Sequence, residues 1–348
     1  MLKEKNKKKK VFVGISGGVD SSVAALLLKN KGYEVTGVFI KVWQPDFIEC
    51  TWKEDRRDAM RICAQLNIPF LTLDLEKEYK EGVIDYMIGE YKKGRTPNPD
   101  VFCNKEVKFG AFLDWAMKNG ADYIATGHYA QNKNNFLHKA KDLSKDQSYF
   151  LWTLNKKQLQ KIIFPIGGLL KTEIREMALK NDLATAKKKD SQGLCFIGKI
   201  DVKDFLKEFI KNKKGKIFDL DLEKLIGEHE GVFFYTIGEK INGKYIIKKD
   251  LEKNILYISE KVFKEKQDKI FLENTNFISD LKKGKTYFVQ ERYHAKETKI
   301  KIKDFKKSKE KIAIDCEFLE ANNNFVYTPG QSLVFFDKNL LIGGGIMK

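Results

Sequence analysis

Several things are missing from this sequence, and each absence narrows what it can be. No uninterrupted run of about eighteen apolar residues occurs, so no transmembrane helix is expected. The Lys-crowded opening, residues 1–10, has no apolar stretch behind it and does not read as a secretory signal. Cysteines are few: five, an odd number, scattered as Cys50, Cys63, Cys103, Cys195 and Cys316. They make a poor disulfide framework, and the expected compartment is the reducing cytoplasm. No Cys-x-x-Cys pair accompanies them, which argues against zinc or an iron–sulfur cluster. No internal repeat is visible, and arginine is scarce beside lysine.

Apolar material is plentiful. The 348 residues are 42% hydrophobic and 12% aromatic, which excludes a wholly disordered chain and predicts two or three domains with real cores. Lys and Arg number 65 against 48 Asp and Glu, a formal charge of +17. That surplus points to a polyanionic partner, nucleic acid first. An AT-rich genome also inflates lysine, so most of the Lys-rich runs are taken as solvated faces.

Three textures follow one another. Residues 11–15 form a short apolar run ending in a glycine-rich turn, the pattern of a buried parallel strand. Asp20 or Ser21 is placed to cap a helix carrying Val23, Ala24, Leu27 and Leu28 at helical spacing, with Gly32 as its stop. Strands are expected at 35–40, 69–73 and 123–125, with helices at about 54–66 and 105–118 between them. Repeated βαβ units predict an α/β doubly wound parallel sheet with ligands at the carboxyl ends of its strands. Residues 151–213 read as helical. Beyond Gly215, short apolar-aromatic runs such as 232–235, 245–247, 255–258, 287–289 and 333–336 read as antiparallel β-structure. The expected layout is a nucleotide domain over 1–213, then two small β-rich domains over 214–283 and 284–348, divided near 282–285.

The most informative segment is Ser16-Gly17-Gly18-Val19-Asp20-Ser21-Ser22, between the first strand and the first helix. Two glycines let backbone approach an anion, three hydroxyls are available to it, and a helix amino terminus favours negative charge. No Gly-Lys-Ser/Thr follows, so this is not the loop of γ-phosphate transfer. It resembles the pyrophosphatase loop of adenine nucleotide α-hydrolase-like enzymes, which split ATP into AMP and pyrophosphate while activating a carbonyl or carboxylate. The loop names the superfamily and leaves the substrate open.

Four other segments supply the substrate. Gly94-Arg-Thr-Pro-Asn-Pro-Asp-Val-Phe-Cys103-Asn104-Lys105, Thr126-Gly127-His128-Tyr129-Ala130, Lys145-Asp146-Gln147-Ser148-Tyr149-Phe150-Leu151 and Asp190-Ser191-Gln192-Gly193-Leu194-Cys195-Phe196-Ile197-Gly198 are similar to those of the tRNA-specific 2-thiouridylase family. The likeness continues through Tyr235-Thr-Ile-Gly238, Arg292-Tyr293 and Pro329-Gly-Gln331-Ser332, and so spans essentially the whole chain. At Glu239-Lys240 the family usually has Gln-Arg, and at Ile40 it often has Met.

The resemblance implies ATP-dependent 2-thiolation of the wobble uridine of tRNA, with Mg²⁺ accompanying ATP. It places ATP against Gly14, Ile15, Ser16, Gly17, Gly18, Val19, Asp20, Ser21, Ile40 and Gly127, with Asp20 near the metal. It places tRNA, through its anticodon arm, against Asn98, Pro99, Asp100, His128, Lys145, Asp146, Gln147, Arg292, Tyr293 and Gln331. It makes Cys195 the persulfide carrier, Cys103 the second thiol with a transient disulfide between them, and Asp100 an acid or base. An upstream persulfide donor is implied as partner.

From the residues alone these assignments are less determined. Cys103 and Cys195 lie among Gly, Asn, Pro and Asp rather than in apolar periodic runs, and structural and reactive readings are about even; a lowered thiol pKa is expected for one, from Lys105 or a helix start after Cys103. Cys63 falls on an apolar helical stripe and reads as core. Asp100 serves equally as a turn residue in a segment stiffened by Pro97 and Pro99. The competing functions are a small-molecule synthetase or amidotransferase with the same loop, in which the two cysteines have no task, and a catalytically silent RNA-binding protein.

Overall fold

The computed structural model describes residues 8–47, 52–189, 201–260, 268–319 and 325–348. Cys50 and the whole Asp190–Gly198 motif with Cys195 lie outside them. The chain divides into one unit of Met1–Gly82, Asp100–Gly198 and Asn339–Leu341 and a second of Val83–Pro99, Lys199–Lys338 and Ile342–Lys348.

The first unit is built on strands β1 (Lys10–Gly14), β2 (Glu34–Lys41), β3 (Phe70–Asp74), β4 (Tyr123–Ala125), the hairpin pair β5 (Ala130–Lys133) and β6 (Phe136–Lys139), and β7 (Ile162–Ile163). Five of them make an all-parallel sheet in the order β3-β2-β1-β4-β7. Central strands of such a sheet are covered on both faces, and accordingly Val11 and Val13 of β1 are fully buried. Helix α1 (Val19–Asn30) covers them with Val23, Ala24 and Leu28, and Gly32, at φ +85°, ends it in a conformation open to glycine. Helix α2 (Trp52–Gln65) packs Ala59, Ile62 and Cys63 into the same core. A Cβ at Gly37 would collide with the Cys63 sulfur, so glycine lets α2 close on β2. The chain winds one way from β1 to β2 and β3 and the other way to β4 and β7. The crevice above the carboxyl ends of β1 and β4 is therefore the switch point where ligands bind in sheets of this kind.

Several local expectations change. Neither Asp20 nor Ser21 caps α1; the N-cap is Gly18, without a side-chain hydrogen bond, and Asp20 sits inside the first turn. The helix expected from 105 starts earlier, as Pro99–Phe102, runs through a π-helical stretch Cys103–Ala111 and continues as Phe112–Lys118. Cys103 is thus helical rather than in a loop, because Pro99 suits a first helical turn and the chain does not break again before Lys118. The described residues of the stretch 151–213 are only partly helical. They hold the helices Lys156–Leu159, Lys171–Lys180 and Val202–Lys207; the first two are separated by β7 and by Pro165, Gly167 and Gly168, which cannot sustain a helix. The β5–β6 hairpin was hidden because its turn is Asn134-Asn135, both at positive φ, rather than the more telling Asn-Gly.

The second unit contains a sheet of β8 (Gly215–Asp219), β9 (Lys224–His229), β10 (Lys240–Ile241), β11 (Lys244–Asp250) and β12 (Ile255–Ser259), in the order β10-β11-β12-β8-β9. The run 232–235, expected as a strand, is a 3-10 turn at Val232–Phe234. A second sheet follows from β13 (Lys269–Phe277), β14 (Thr286–Gln290), β15 (Thr298–Lys307), β16 (Lys311–Phe318), β17 (Ser332–Asp337) and β18 (Leu340–Met347), ordered β13-β16-β15-β14-β17-β18. β13 also pairs with β18, closing these strands into a barrel. β13 therefore pairs across the division expected near 282–285, where the Gly284 turn, at φ +76°, lies between β13 and β14. Among the described residues no helix is long and apolar enough to cross a membrane.

Candidate active site

β1 delivers the chain to the switch point. The Ile15 amide still donates to Val38 O at 2.8 Å, and then the backbone turns through Ser16, Gly17 and Gly18 into α1. Gly17 has φ +76°, and any Cβ there would strike the Asp55 backbone, so no other residue fits. Because no side chain caps α1, the donors of its first turn have no side-chain partner and the positive end of its dipole faces the turn. The hydroxyls act inward. Ser21 Oγ and Ser22 Oγ donate to Gly18 O at 3.1 and 2.8 Å, Ser21 Oγ accepts the Ser16 amide at 3.2 Å, and Ser22 Oγ receives the Thr185 hydroxyl at 3.0 Å. They brace the loop from within.

The end of β4 comes to the same place. A Cβ on Gly127 would lie 2.7 Å from the Ser21 nitrogen, so this glycine admits the Thr126–His128 backbone beside the loop. Gly127→Ala should consequently raise the Kd for ATP about tenfold or more, equivalent to about 1.4 kcal/mol. Titration calorimetry alongside a thermal melt checks this; unchanged affinity in a folded variant would remove Gly127 from the site.

Asp20 is the charged centre. Lys171 Nζ, from the first residue of the helix Lys171–Lys180, donates to both carboxylate oxygens at 2.7 and 2.9 Å, and the Tyr129 hydroxyl donates to one of them at 2.7 Å. The ammonium also lies over the Tyr129 ring, 5.6 Å from its centre. Among the described residues no three His, Cys, Asp or Glu side chains cluster as a metal cage. Asp20 and the phosphates of a nucleotide suit Mg²⁺, which keeps most of its shell as water and phosphate oxygen.

The remaining candidates of the first unit sit on either side of the π-helical stretch. Single-turn π segments occur disproportionately at functional sites. Cys103 opens this one and is only 4% exposed. It lies inside the helix that begins at Pro99 rather than before a helix start, and Lys105 Nζ pairs with Glu106 at 2.8 Å. Asp100 is half-buried. Loss of hydration pushes its carboxyl above the ordinary value, offset in part by Lys108, so it takes up a proton more readily than a free carboxylate. His128, 8% exposed, packs against the mutually touching rings of Phe109 and Phe164 with Nδ1 2.7 Å from the Thr126 hydroxyl. Burial, with Lys108 adding to it, holds its pKa well below the usual imidazole range, so the ring is neutral. Cys63 and Cys316 are buried thiols pushed up to about 11 and about 12, chiefly by desolvation, and are inert packing.

The residues assigned to tRNA divide by what they already do. Asp146 accepts the Ala140 amide at 2.7 Å and the Ser148 hydroxyl at 2.7 Å, while Gln147 exchanges two hydrogen bonds with the Tyr129 backbone. Asp146 ties the loop to the end of β6 and Gln147 ties it to Tyr129; all three residues, Lys145 included, are half-buried. In the second unit Gln331 Nε2 donates to Thr96 O at 3.0 Å and Pro97 O at 3.4 Å, just before Asn98 and Pro99 in the chain. Arg292 is exposed, beside a half-buried Tyr293 whose ring centre lies 3.9 Å from that of His294 with the planes tilted by 46°. Sequence reasoning passed over Lys171, Thr185 and the hydroxyl of Tyr129. The last lies inside a motif already singled out, whereas Lys171 is one lysine among many and nothing in the chain marks it.

Family models match consecutive parts of the chain: a tRNA methyl transferase HUP domain over residues 9–199, a tRNA methyl transferase PRC-barrel domain over 203–260 and an aminomethyltransferase beta-barrel domain over 267–347. The chain is 43% identical to the tRNA-specific 2-thiouridylase MnmA of Streptococcus uberis over 363 residues, covering 98% of this chain and 96% of that one. It is 43% identical to the protein of the same name from Streptococcus thermophilus over 368 residues, with the same coverage. Among solved structures it is similar to the U34-tRNA thiolase NcsA from Methanococcus maripaludis, at 20% identity and a TM-score of 0.37, over 57% of this chain and 66% of that one.

Proposed function

Because the chain belongs to the tRNA-specific 2-thiouridylase family, we propose that it replaces the C2 oxygen of the wobble uridine of tRNA with sulfur at the expense of ATP. The observation that carries this reading is the uncapped Ser16–Ser22 turn meeting Gly127 at the switch point of the sheet, in a chain collinear with curated 2-thiouridylases over 98% of its length. A uridine C2 oxygen is a poor leaving group, and adenylation makes it a good one. Mg²⁺, bound with ATP, neutralises pyrophosphate charge. The α1 amino terminus binds the phosphates, Asp20 orients the metal, and Gly14, Ile15 and Ile40 lie at the strand ends available to the nucleoside.

Asn98, Pro99 and Asp100 face the target base in this reading. The raised pKa of Asp100 suits it to hold or deliver a proton at that base. Sulfur arrives as a persulfide on Cys195 from an upstream donor protein. Its terminal sulfur attacks C2 and AMP departs with the former C2 oxygen. Cys103 then takes the inner sulfur, forming a Cys103–Cys195 disulfide and leaving C2=S; if instead Cys103 first cleaves the persulfide, the sulfide released attacks C2 and the same disulfide results. Arg292 and Tyr293 supply a phosphate contact and a stacking ring for RNA, and Lys145 a further cation. The reaction belongs in the cytoplasm, where tRNA and ATP are found together.

The test is release of AMP and pyrophosphate from ATP with and without tRNA. The expected result is release that requires tRNA. Release without tRNA would favour a small-molecule synthetase, and no release under either condition would favour an RNA-binding protein.

A further inference from the structure

Lysine at the first position of a helix opposes the helix dipole, since the ammonium stands at the positive end. Lys171 occupies that position and is held there at only 13% side-chain exposure, with its charge on Asp20, which is 30% exposed. Its own backbone N–H donates to Asp142 at 3.0 Å, fixing the stem of the side chain. Asp20 is a resident of the phosphate loop, and α1 packs on the helix Lys171–Lys180. A local cation and a local anion are thus paired beside an uncapped helix terminus. Tyr129 adds a second donor to the same carboxylate, which keeps it aimed.

Resting on the pyrophosphatase-loop reading above, we propose that Lys171 is a phosphate-binding catalytic residue of the adenylation step, held in reserve on Asp20 until the nucleotide arrives. Both oxygens of Asp20 accept from Lys171, so the carboxylate cannot serve the ammonium and a metal ion equally. Lys171 hands the carboxylate to the Mg²⁺ that accompanies ATP and moves its charge onto the phosphate oxygens. A four-carbon stem with three rotatable donors permits that exchange without moving the helix. In the step itself the uridine O2–Pα bond forms and the bond from Pα to the bridging oxygen of pyrophosphate breaks. The electron pair leaves with pyrophosphate, and the N3 proton of the base passes to the Asp100 carboxylate, which acts as the base of this step and holds the proton. Lys171 keeps its protons throughout and offsets the charge that gathers on the leaving oxygens.

Lys171→Met in the full-length enzyme tests this with two readouts. The rate of tRNA-dependent pyrophosphate release at saturating ATP should fall about 10²-fold or more, the usual loss when one preorganised donor to a developing charge is removed. The Kd for inorganic pyrophosphate with Mg²⁺, by titration calorimetry, should rise about tenfold, and Lys171→Arg should recover part of both losses. Tyr129→Phe removes the other donor to Asp20 but no charge, and should cost less than about threefold in pyrophosphate affinity. The proposal is overturned if Lys171→Met keeps wild-type pyrophosphate affinity, or if Tyr129→Phe weakens it equally, since Lys171 would then only position Asp20. A wild-type enzyme that releases no pyrophosphate with tRNA would instead refute the underlying adenylation reading. A lowered melting temperature does not blur the result, because calorimetry run below the transition reports on folded protein alone.

Discussion

Asp20→Ala should abolish the release of AMP and pyrophosphate, a drop of about 10³-fold or more, while leaving the Kd for tRNA within about twofold. The substitution takes away the carboxylate that Lys171 and Tyr129 both hold, and with it the anionic site nearest the phosphate loop. It also leaves the Lys171 ammonium unpaired beside that loop. The fold should tolerate this, since an ion pair with a carboxylate 30% exposed contributes on the order of 1 kcal/mol or less. Asp20→Asn is the companion variant: it preserves size and one acceptor but not charge, and should resemble alanine in rate. The readouts are AMP formation in the presence of tRNA and tRNA binding by filter retention. AMP formation at the wild-type rate in either variant would remove Asp20 from the reaction.

The cysteine variants should lose thiouridine formation completely but at different stages. Cys195→Ser should not accept labelled sulfur from a persulfide donor, yet should still adenylate the uridine and release pyrophosphate. Cys103→Ser should carry label on Cys195 and stall before turnover. Cys63→Ser serves as the contrast. It places a hydroxyl in a fully packed core against Gly37, and should cost about 1–3 kcal/mol of stability with the chemistry intact. Label recovered on Cys103, with thiouridine still made by Cys195→Ser, would exchange the two roles.

Much of this site can be read before any coordinates are known, for a physical reason. Its strongest parts are local: Gly17 and Gly18 in one turn, strand before, helix after, and the motif at Thr126–Ala130 closing over it. What cannot be read is what requires partners distant in sequence. Lys171 lies 151 positions from Asp20, and in a lysine-rich chain its type gives no signal. The inward roles of Asp146, Gln147 and Gln331 are hidden for the same reason: a polar side chain in a loop looks alike whether it faces solvent or a neighbouring carbonyl. The helical state of Cys103 escaped because Gly94, Pro97 and Pro99 read as one long turn, although a proline at the head of a helix is well placed. The grouping of Val83–Pro99 with the second unit depends on tertiary contacts such as Arg95 Nη2 to Glu273 at 2.6 Å and Thr96 N to Pro329 O at 2.9 Å.

The closure of the barrel has a consequence for how this chain reaches its native state. β15 and β16 are neighbours in sequence and can zip as a hairpin at once, but β13 must wait for β18, with all of β14 to β17 lying between them. Closing so long a loop carries an entropic cost that only the completed ring of hydrogen bonds offsets, so closure is the late and slow event. Until it happens, β13 presents a bare edge of unpaired amides and carbonyls, and so does any chain cut short before Leu340. Such an edge is a template for pairing with another copy. The period of greatest danger for this protein is therefore the interval between emergence of β13 and capture of β18, when two half-made barrels that meet can complete each other instead of themselves.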